Sequence, residues 1–339
     1  MKLLRTLDDF PETLRGGAVA IGNFDGVHFG HARLVERLRA MARRVGGPAV
    51  VFTFDPSPTR ILRPEMAPEP LLWLERKIEI LEQLGADAVL GYPTDKALLQ
   101  MEARQFFDRI VGDRLDARAM VEGPNFFFGH NRSGNVEVLR QFCAEASIPF
   151  EVAEPVEIEG QIVSSSRIRL LVMAGRVDEA RAMLGRPHRI RGVVVRGAGR
   201  GATIGCPTAN LEQIDTLVPG EGIYAARALV RRRSGSEVWH SRPRLCELPN
   251  TAEGGCVTPA DGRWHPAAVS LGPNPTFGEA GLKVEVHLIG FQGSLYGQPM
   301  EVDFVARLRD IERFDSVDAL LAQIASDVAR TVKICRKPT

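Results

Sequence analysis

The chain has 339 residues, with 43 Lys+Arg against 42 Asp+Glu, and 44% of it is hydrophobic. A formal net charge of +1 excludes a whole-surface electrostatic grip on nucleic acid or anionic membrane, so any recognition must be local. At this length two domains of about 150 residues are the default expectation, each able to bury its own core.

The five cysteines, Cys143, Cys206, Cys246, Cys256 and Cys335, are odd in number and form no CxxC pair. That usage predicts a reduced, cytoplasmic protein rather than a disulfide-stapled secreted one. The N-terminal MKLLRTLDDFPE meets acidic residues and a proline before an apolar signal can form. No later run approaches the roughly 18 apolar residues of a membrane span. Neither a membrane nor a nucleic acid is expected as a partner.

In the first half, short β-rich runs alternate with helical patterns, which predicts a parallel sheet with crossover helices. Strands are expected at 18–21, 49–54, 87–91, 117–121 and 149–153. Between the first two, Leu34, Val35, Leu38, Met41, Ala42 and Val45 recur at helical spacing, and Val136, Leu139, Phe142, Cys143 and Ala146 form a similar stripe. After about residue 186 the pattern changes to alternating strands near 189–195, 222–230, 265–271, 283–289 and 299–307, without intervening helices. A last helix starts at Ser316 and carries Val317, Leu320, Leu321, Ile324 and Val328, a stripe expected to pack on the outside of a barrel. Residues 231–263, rich in Arg, Pro and Gly, read as a loop insertion. The expected fold class is therefore α/β: an N-terminal doubly wound, Rossmann-like domain over 1–186, then a small antiparallel β-barrel with a terminal helix over 187–339.

Two stretches carry chemistry. Directly after the first strand comes GNFDGVHFGH, from Gly22 through Phe24 and Asp25 to His28 and His31, and then the first amphipathic helix. A strand, a glycine turn and a helix N-terminus converge backbone donors and a positive dipole end on one point, which is an anion site. Two imidazoles three residues apart add donors for a phosphate whose charge grows in a transition state. A glycine turn beside two unrelated surface histidines is the bland alternative.

The second stretch is GAGRGATIGCPTAN, with Gly199, Gly201, Thr208 and Asn210. Close glycines admit a polyphosphate, and the Thr208 and Asn210 oxygens suit a hard Mg²⁺ that keeps substrate phosphates as ligands. It is no Walker loop, because the GK[ST] ending is absent. Some 75 residues on, VEVHL places Glu285 and His287 on one strand face and Val284, Val286 and Leu288 on the other.

On GNFDGVHFGH, FTFDPSP (52–58), EGPNFFFGHNRSG (122–134) and SSSRIR (164–169), the first half resembles the HxGH nucleotidyltransferases, and within them the adenylyltransferase module of bacterial bifunctional riboflavin kinase/FMN adenylyltransferases. PTAN, VEVHL, SLGPNPTFG, LYG and RLRDIERFDS extend the resemblance through the kinase module, to about Arg330. The resemblance implies conversion of riboflavin to FMN with ATP and Mg²⁺, then of FMN to FAD with a second ATP. It implies that His28 and His31 steady the α-phosphate, that Ser165 and Arg169 bind the β/γ-phosphates, and that Asn125 lies beside the nucleotide or flavin. In the kinase half it implies that Thr208 and Asn210 bind Mg-nucleotide and that Glu285 is the general base, while His287 is structural. Two residues depart from the family pattern: Ser57 stands where His is usual, and Cys206 where Phe is usual. A chain with one active module, or a flavin-binding regulator without turnover, are the competing readings; SSSRIR taken alone fits a capped helix with exposed arginines as well.

Overall fold

A computed structural model describes residues 3–8, 10–197, 201, 205–231, 262–274 and 279–336. It forms two compact units whose boundary falls between Ser165 and Ser166, with Glu69–Leu71 joining the second.

The first unit runs β1 (Leu3–Leu4), β2 (Ala18–Gly22), α1 (Phe29–Val45), β3 (Ala49–Phe54), α2 (Pro58–Leu62), α3 (Leu74–Gln83), β4 (Ala88–Tyr92), α4 (Lys96–Leu99) and α5 (Ala103–Phe106). A π-helical stretch over Phe107–Arg114 follows, then β5 (Ala119–Glu122), α6 (Val136–Glu145), β6 (Phe150–Val152) and a hairpin of β7 (Glu157–Ile158) with β8 (Gln161–Ile162). Six strands form one sheet in the order β1-β4-β3-β2-β5-β6, and every pairing in it is parallel. The central strands are buried and mostly apolar because both faces are covered, with Thr53 of β3 and Glu122 of β5 as buried polar exceptions. Val19, Ile21, Phe52, Leu90 and Met120 face one core with Phe106 and Leu139. Ala18, Ala20, Val51, Val89 and Val121 face the other, with Leu34, Val35 and Leu38 of α1. The doubly wound expectation holds, and all five sequence-read strands of this half are present within two residues of their expected ends.

The second unit takes most of α7 (Ser165–Met173), then α8 (Val177–Leu184), β9 (His188–Val195), β10 (Ala209–Glu212), β11 (Gly222–Val230), β12 (Trp264–Asn274), β13 (Glu279–Leu288), β14 (Pro299–Arg309) and α9 (Val317–Cys335). Six antiparallel strands close into a barrel in the order β10-β13-β12-β11-β14-β9. Alternation along β9 sends Ile190 and Val194 inward, and Tyr224 and Phe304 meet edge to face at 5.3 Å in the same core. The architecture changes where residue 186 marks it, but α7 and α8 before it pack with the barrel unit: Gly220 N–H donates to Val172 O at 3.0 Å, and α8 lies against β9 and β14.

Three features differ from the sequence reading. The barrel has a sixth strand, β10, inside what reads as a glycine-rich loop. The expected insertion at 231–263 lies almost wholly outside the described residues, as does the PTF of SLGPNPTFG. On α9, which Ser316 caps by accepting the Ala319 N–H at 3.1 Å, the apolar stripe is only half covered and Val317 is 52% exposed. The residues buried against β11, β12 and β14 are Asp327 and Thr331, because barrel strands turn polar groups outward: Arg309 of β14 donates to Asp327 at 3.0 Å.

Candidate active sites

In the first unit the chain leaves β2 at Gly22 and must reverse into α1 within six residues. It does so through three left-handed positions, Phe24 (φ 45°), Gly26 (φ 80°) and Val27 (φ 36°), two of which carry side chains and pay a steric cost there. His28 is the extended residue before α1, and its side chain does not cap that helix end. The dipole of a 17-residue helix therefore points at the turn, as an anion site requires. The His28 and His31 rings stack with centroids 3.8 Å apart and planes 17° apart, and Phe24 lies 5.1 Å from His31. His28 is buried and His31 half-buried. Gly30 makes room for this pair: a Cβ there would come within 3.1 Å of His28 Cε1 and Nδ1.

Ser165, at the start of α7, donates its hydroxyl to the Asp25 carbonyl at 2.7 Å, so this distant residue joins the same turn. Arg169, one helical turn further along the chain, belongs to the second unit and donates to the Glu69 carbonyl of that same unit at 3.1 Å. Asn125 is exposed in the loop after β5, the strand that pairs with β2. Of the neighbouring aromatics, Phe128 is core, stacked on Phe126 at 5.4 Å, whereas Phe127 is 45% exposed under the Arg132 guanidinium at 4.1 Å. Ser57 stands before α2 without capping it.

Two buried ionisable groups beside this turn escape sequence reading. The Glu122 carboxylate accepts the Ile21 N–H at 2.7 Å, and burial pushes its pKa well above the usual carboxylate range. Lys77 of α3 donates to the Asn23 carbonyl at 2.7 Å, and burial lowers its pKa against the opposing pull of Asp25 and Asp55. The sequence signals neither: Lys77 stands among the charges of LERKIEILEQ, and Glu122 at the end of AMVE before Gly-Pro.

In the barrel, Asn210 pairs with Glu285 across β10 and β13, and Glu285 pairs in turn with Ser270 on β12. Cross-strand partners share a face. Because Ala209, Leu211, Val284 and Val286 point into the core, Asn210, Glu285 and Ser270 form a half-buried polar row on the outside of three adjacent strands. Thr208 lies two residues before Asn210. A Cβ on Gly201 would come within 2.4 Å of the Cys206 carbonyl and 3.3 Å of Thr208 Oγ1, so Gly201 itself packs directly beside Thr208. Gly197 packs as closely on the Asn210 amide, where a Cβ would fall 2.1 Å from Nδ2. Gly199 lies outside the described residues. His287 Nδ1 is 2.8 Å from the Pro207 carbonyl, a bond that fixes the loop and fits a structural role. Cys206 is half-exposed and its N–H donates to the Gly201 carbonyl at 2.8 Å, so its backbone serves the loop whatever its side chain does.

No group of three or more His, Cys, Asp or Glu among the described residues could hold a metal ion. A cation here would rest on neutral side-chain oxygens and on phosphates brought by a substrate, the arrangement Mg²⁺ favours.

Comparison with known proteins places both halves of the chain in known families. The FAD synthetase family model matches residues 10–167 and the riboflavin kinase model matches residues 184–335. The bifunctional riboflavin kinase/FMN adenylyltransferase of Pseudomonas fluorescens is 33% identical over 330 residues, covering 97% of this chain and 96% of the relative. That of Escherichia coli K12 is 30% identical, covering 96% of each. A crystal structure described as a macrolide-efflux protein from Streptococcus pneumoniae superposes with a TM-score of 0.79 at 28% identity, over 97% of this chain and 98% of that one. Among the described residues of this chain, no helix is long and apolar enough to cross a membrane.

Proposed function

Because the chain belongs to the bifunctional riboflavin kinase/FMN adenylyltransferase family, it phosphorylates riboflavin to FMN and adenylylates FMN to FAD, and we propose which of its residues perform each step. We assign adenylylation to residues 1–186 and phosphorylation to 187–339; the two matched segments, 10–167 and 184–335, support two modules in this order, the second match beginning three residues before that boundary.

In adenylylation an FMN phosphate oxygen attacks the α-phosphorus of ATP and pyrophosphate leaves. Both reacting groups belong to the substrates, so the protein needs no nucleophile and contributes placement and charge stabilisation. His28 and His31 steady the α-phosphate and the bridging oxygen at the head of α1. Gly22, Phe24 and Asp25 shape the turn against the nucleotide. Ser165 and Arg169 hold the β- and γ-phosphates, and Asn125 lies beside the nucleotide or flavin. The stacked histidine pair at the N-terminal end of α1 is the observation that carries this reading.

In phosphorylation Glu285 takes the proton of the riboflavin 5′-hydroxyl as its oxygen attacks the γ-phosphorus of ATP, and ADP leaves. Gly199 and Gly201 admit the polyphosphate, while Thr208 and Asn210 hold Mg²⁺, which neutralises phosphate charge when bound. The pairing of Asn210 with Glu285 supports this reading, because an amide and a carboxylate stand opposite each other on one face. Retention of a base and of both histidines favours turnover over a binding-only regulator. We place the activity in the cytoplasm, in keeping with the cysteine usage. Incubating the purified chain with riboflavin, ATP and Mg²⁺ tests the whole reading: FMN followed by FAD is expected, and absence of both products refutes it.

A further inference from the structure

Lys77 occupies a position where packing alone calls for a leucine. It lies on α3 among Leu74, Ile78 and Leu81, and is only 7% exposed. Burying an ammonium is costly, and an apolar chain of equal volume would fill the same space without that cost. What the ammonium touches explains its presence. Nζ donates to the Asn23 carbonyl at 2.7 Å and to Thr53 Oγ1 at 3.2 Å, and the fully buried Thr53 hydroxyl donates to the same carbonyl at 3.1 Å.

Asn23 is the first residue beyond the β2–β3 ladder, whose last rung pairs Gly22 with Thr53. From there the chain enters the left-handed positions of Phe24, Gly26 and Val27 and arrives at His28. Such a turn persists only where its surroundings over-determine it. On the opposite edge of β2 the Glu122 carboxylate grips the Ile21 N–H, so side chains hold the strand end from both sides.

We propose that Lys77 is a positioning residue for adenylyl transfer: by holding the Asn23 carbonyl together with Thr53, it sets the turn that presents His28 and His31 to the α-phosphate. The proposal rests on the assignment of those histidines made above. An ammonium donor makes a stronger bond to the Asn23 carbonyl than the Thr53 hydroxyl that shares it.

The test uses the full chain, with riboflavin phosphorylation as an internal control. Lys77→Met keeps the stem and removes the donor. Loss of one charge-assisted bond predicts a fall of about 10- to 100-fold in kcat for FAD formation from FMN, with the KM for ATP within about 3-fold of native and riboflavin phosphorylation unchanged. Lys77→Gln, which restores a neutral donor, should recover part of that kcat. Thr53→Val is nearly isosteric and should lower the same kcat several-fold, keeping the proposal testable if the Lys77 variants fail to fold. A native kcat in Lys77→Met overturns the proposal, as does loss of both activities in Lys77→Met beside a native kcat in Thr53→Val. His28→Ala measured alongside separates the two claims: native FAD formation there removes the histidine assignment, whereas a defective His28→Ala beside a native Lys77→Met removes only the role of Lys77.

Discussion

Asn210 and Glu285 stand directly opposite each other in the antiparallel ladder between β10 and β13. The spacing between opposed side chains in such a pair, about 5 Å, sets an amide and a carboxylate side by side on the outer face of the barrel.

If Glu285 is the base, Glu285→Gln keeps the shape of the row and removes only proton acceptance. Riboflavin phosphorylation should then fall by about 10²- to 10⁴-fold, the usual range for a general base, while FAD formation from added FMN stays native. Product analysis by chromatography reads both steps. Undiminished FMN formation would show that the proton leaves by another route.

The converse experiment addresses the first unit. His28→Ala and His31→Ala each remove one donor aimed at growing phosphate charge, so each should lower FAD formation from FMN by about 10²- to 10³-fold and leave riboflavin phosphorylation intact. Because the rings stack at 3.8 Å, the double variant should lose less than the product of the single losses. Additive losses would mean that the two imidazoles act separately.

What could be read in the sequence follows from how burial writes itself into side-chain type. Strands β2 and β3 are apolar except at Thr53 because the sheet is covered on both faces, and β9 alternates because only one face is. The His28 to His31 junction was legible because its parts are contiguous. β10 was not: four residues, ANLE, are too short to display a period of two and follow directly on a glycine-rich loop. Lys77 and Glu122 were illegible for a different reason, since their partners Asn23 and Ile21 lie 54 and 101 positions away. The α9 stripe marks the face that meets the barrel, since Leu320, Leu321, Ile324 and Val328 are half-buried there, but the spacing could not show that Asp327 and Thr331 on that same face are the most buried, Asp327 paired with Arg309.

Metal dependence provides a third check. Chelation by EDTA should stop riboflavin phosphorylation, and Mg²⁺ should restore it. Thr208→Val and Asn210→Ala each delete one neutral oxygen and should raise the Mg²⁺ concentration for half-maximal phosphorylation by about 10- to 100-fold. The same titration on FAD formation from FMN should be unmoved by either variant. A shift in both activities would place Thr208 and Asn210 in a structural rather than a metal-binding role.

The barrel should also lose stability in acid through one residue. His188, 2% exposed, has Nε2 2.7 Å from the Leu217 carbonyl and its ring stacked near Phe304. Burial pushes its pKa down from 6.5 to about 4, outweighing the Leu217 carbonyl, which favours the charged form. A base with a depressed pKa in the folded state contributes stability in full above about pH 6.5, where neither state is protonated. As the pH falls from there toward about 4, the unfolded chain takes up the proton and the folded one resists. The loss across that window is about 3 kcal/mol, from roughly 2.5 pKa units at 1.36 kcal/mol each. His188→Gln keeps a donor for the Leu217 carbonyl but cannot titrate, so its urea-unfolding free energy should decline less steeply than native over pH 6.5 to 4. Parallel pH profiles for the two proteins would assign the acid sensitivity of the barrel to its carboxylates instead.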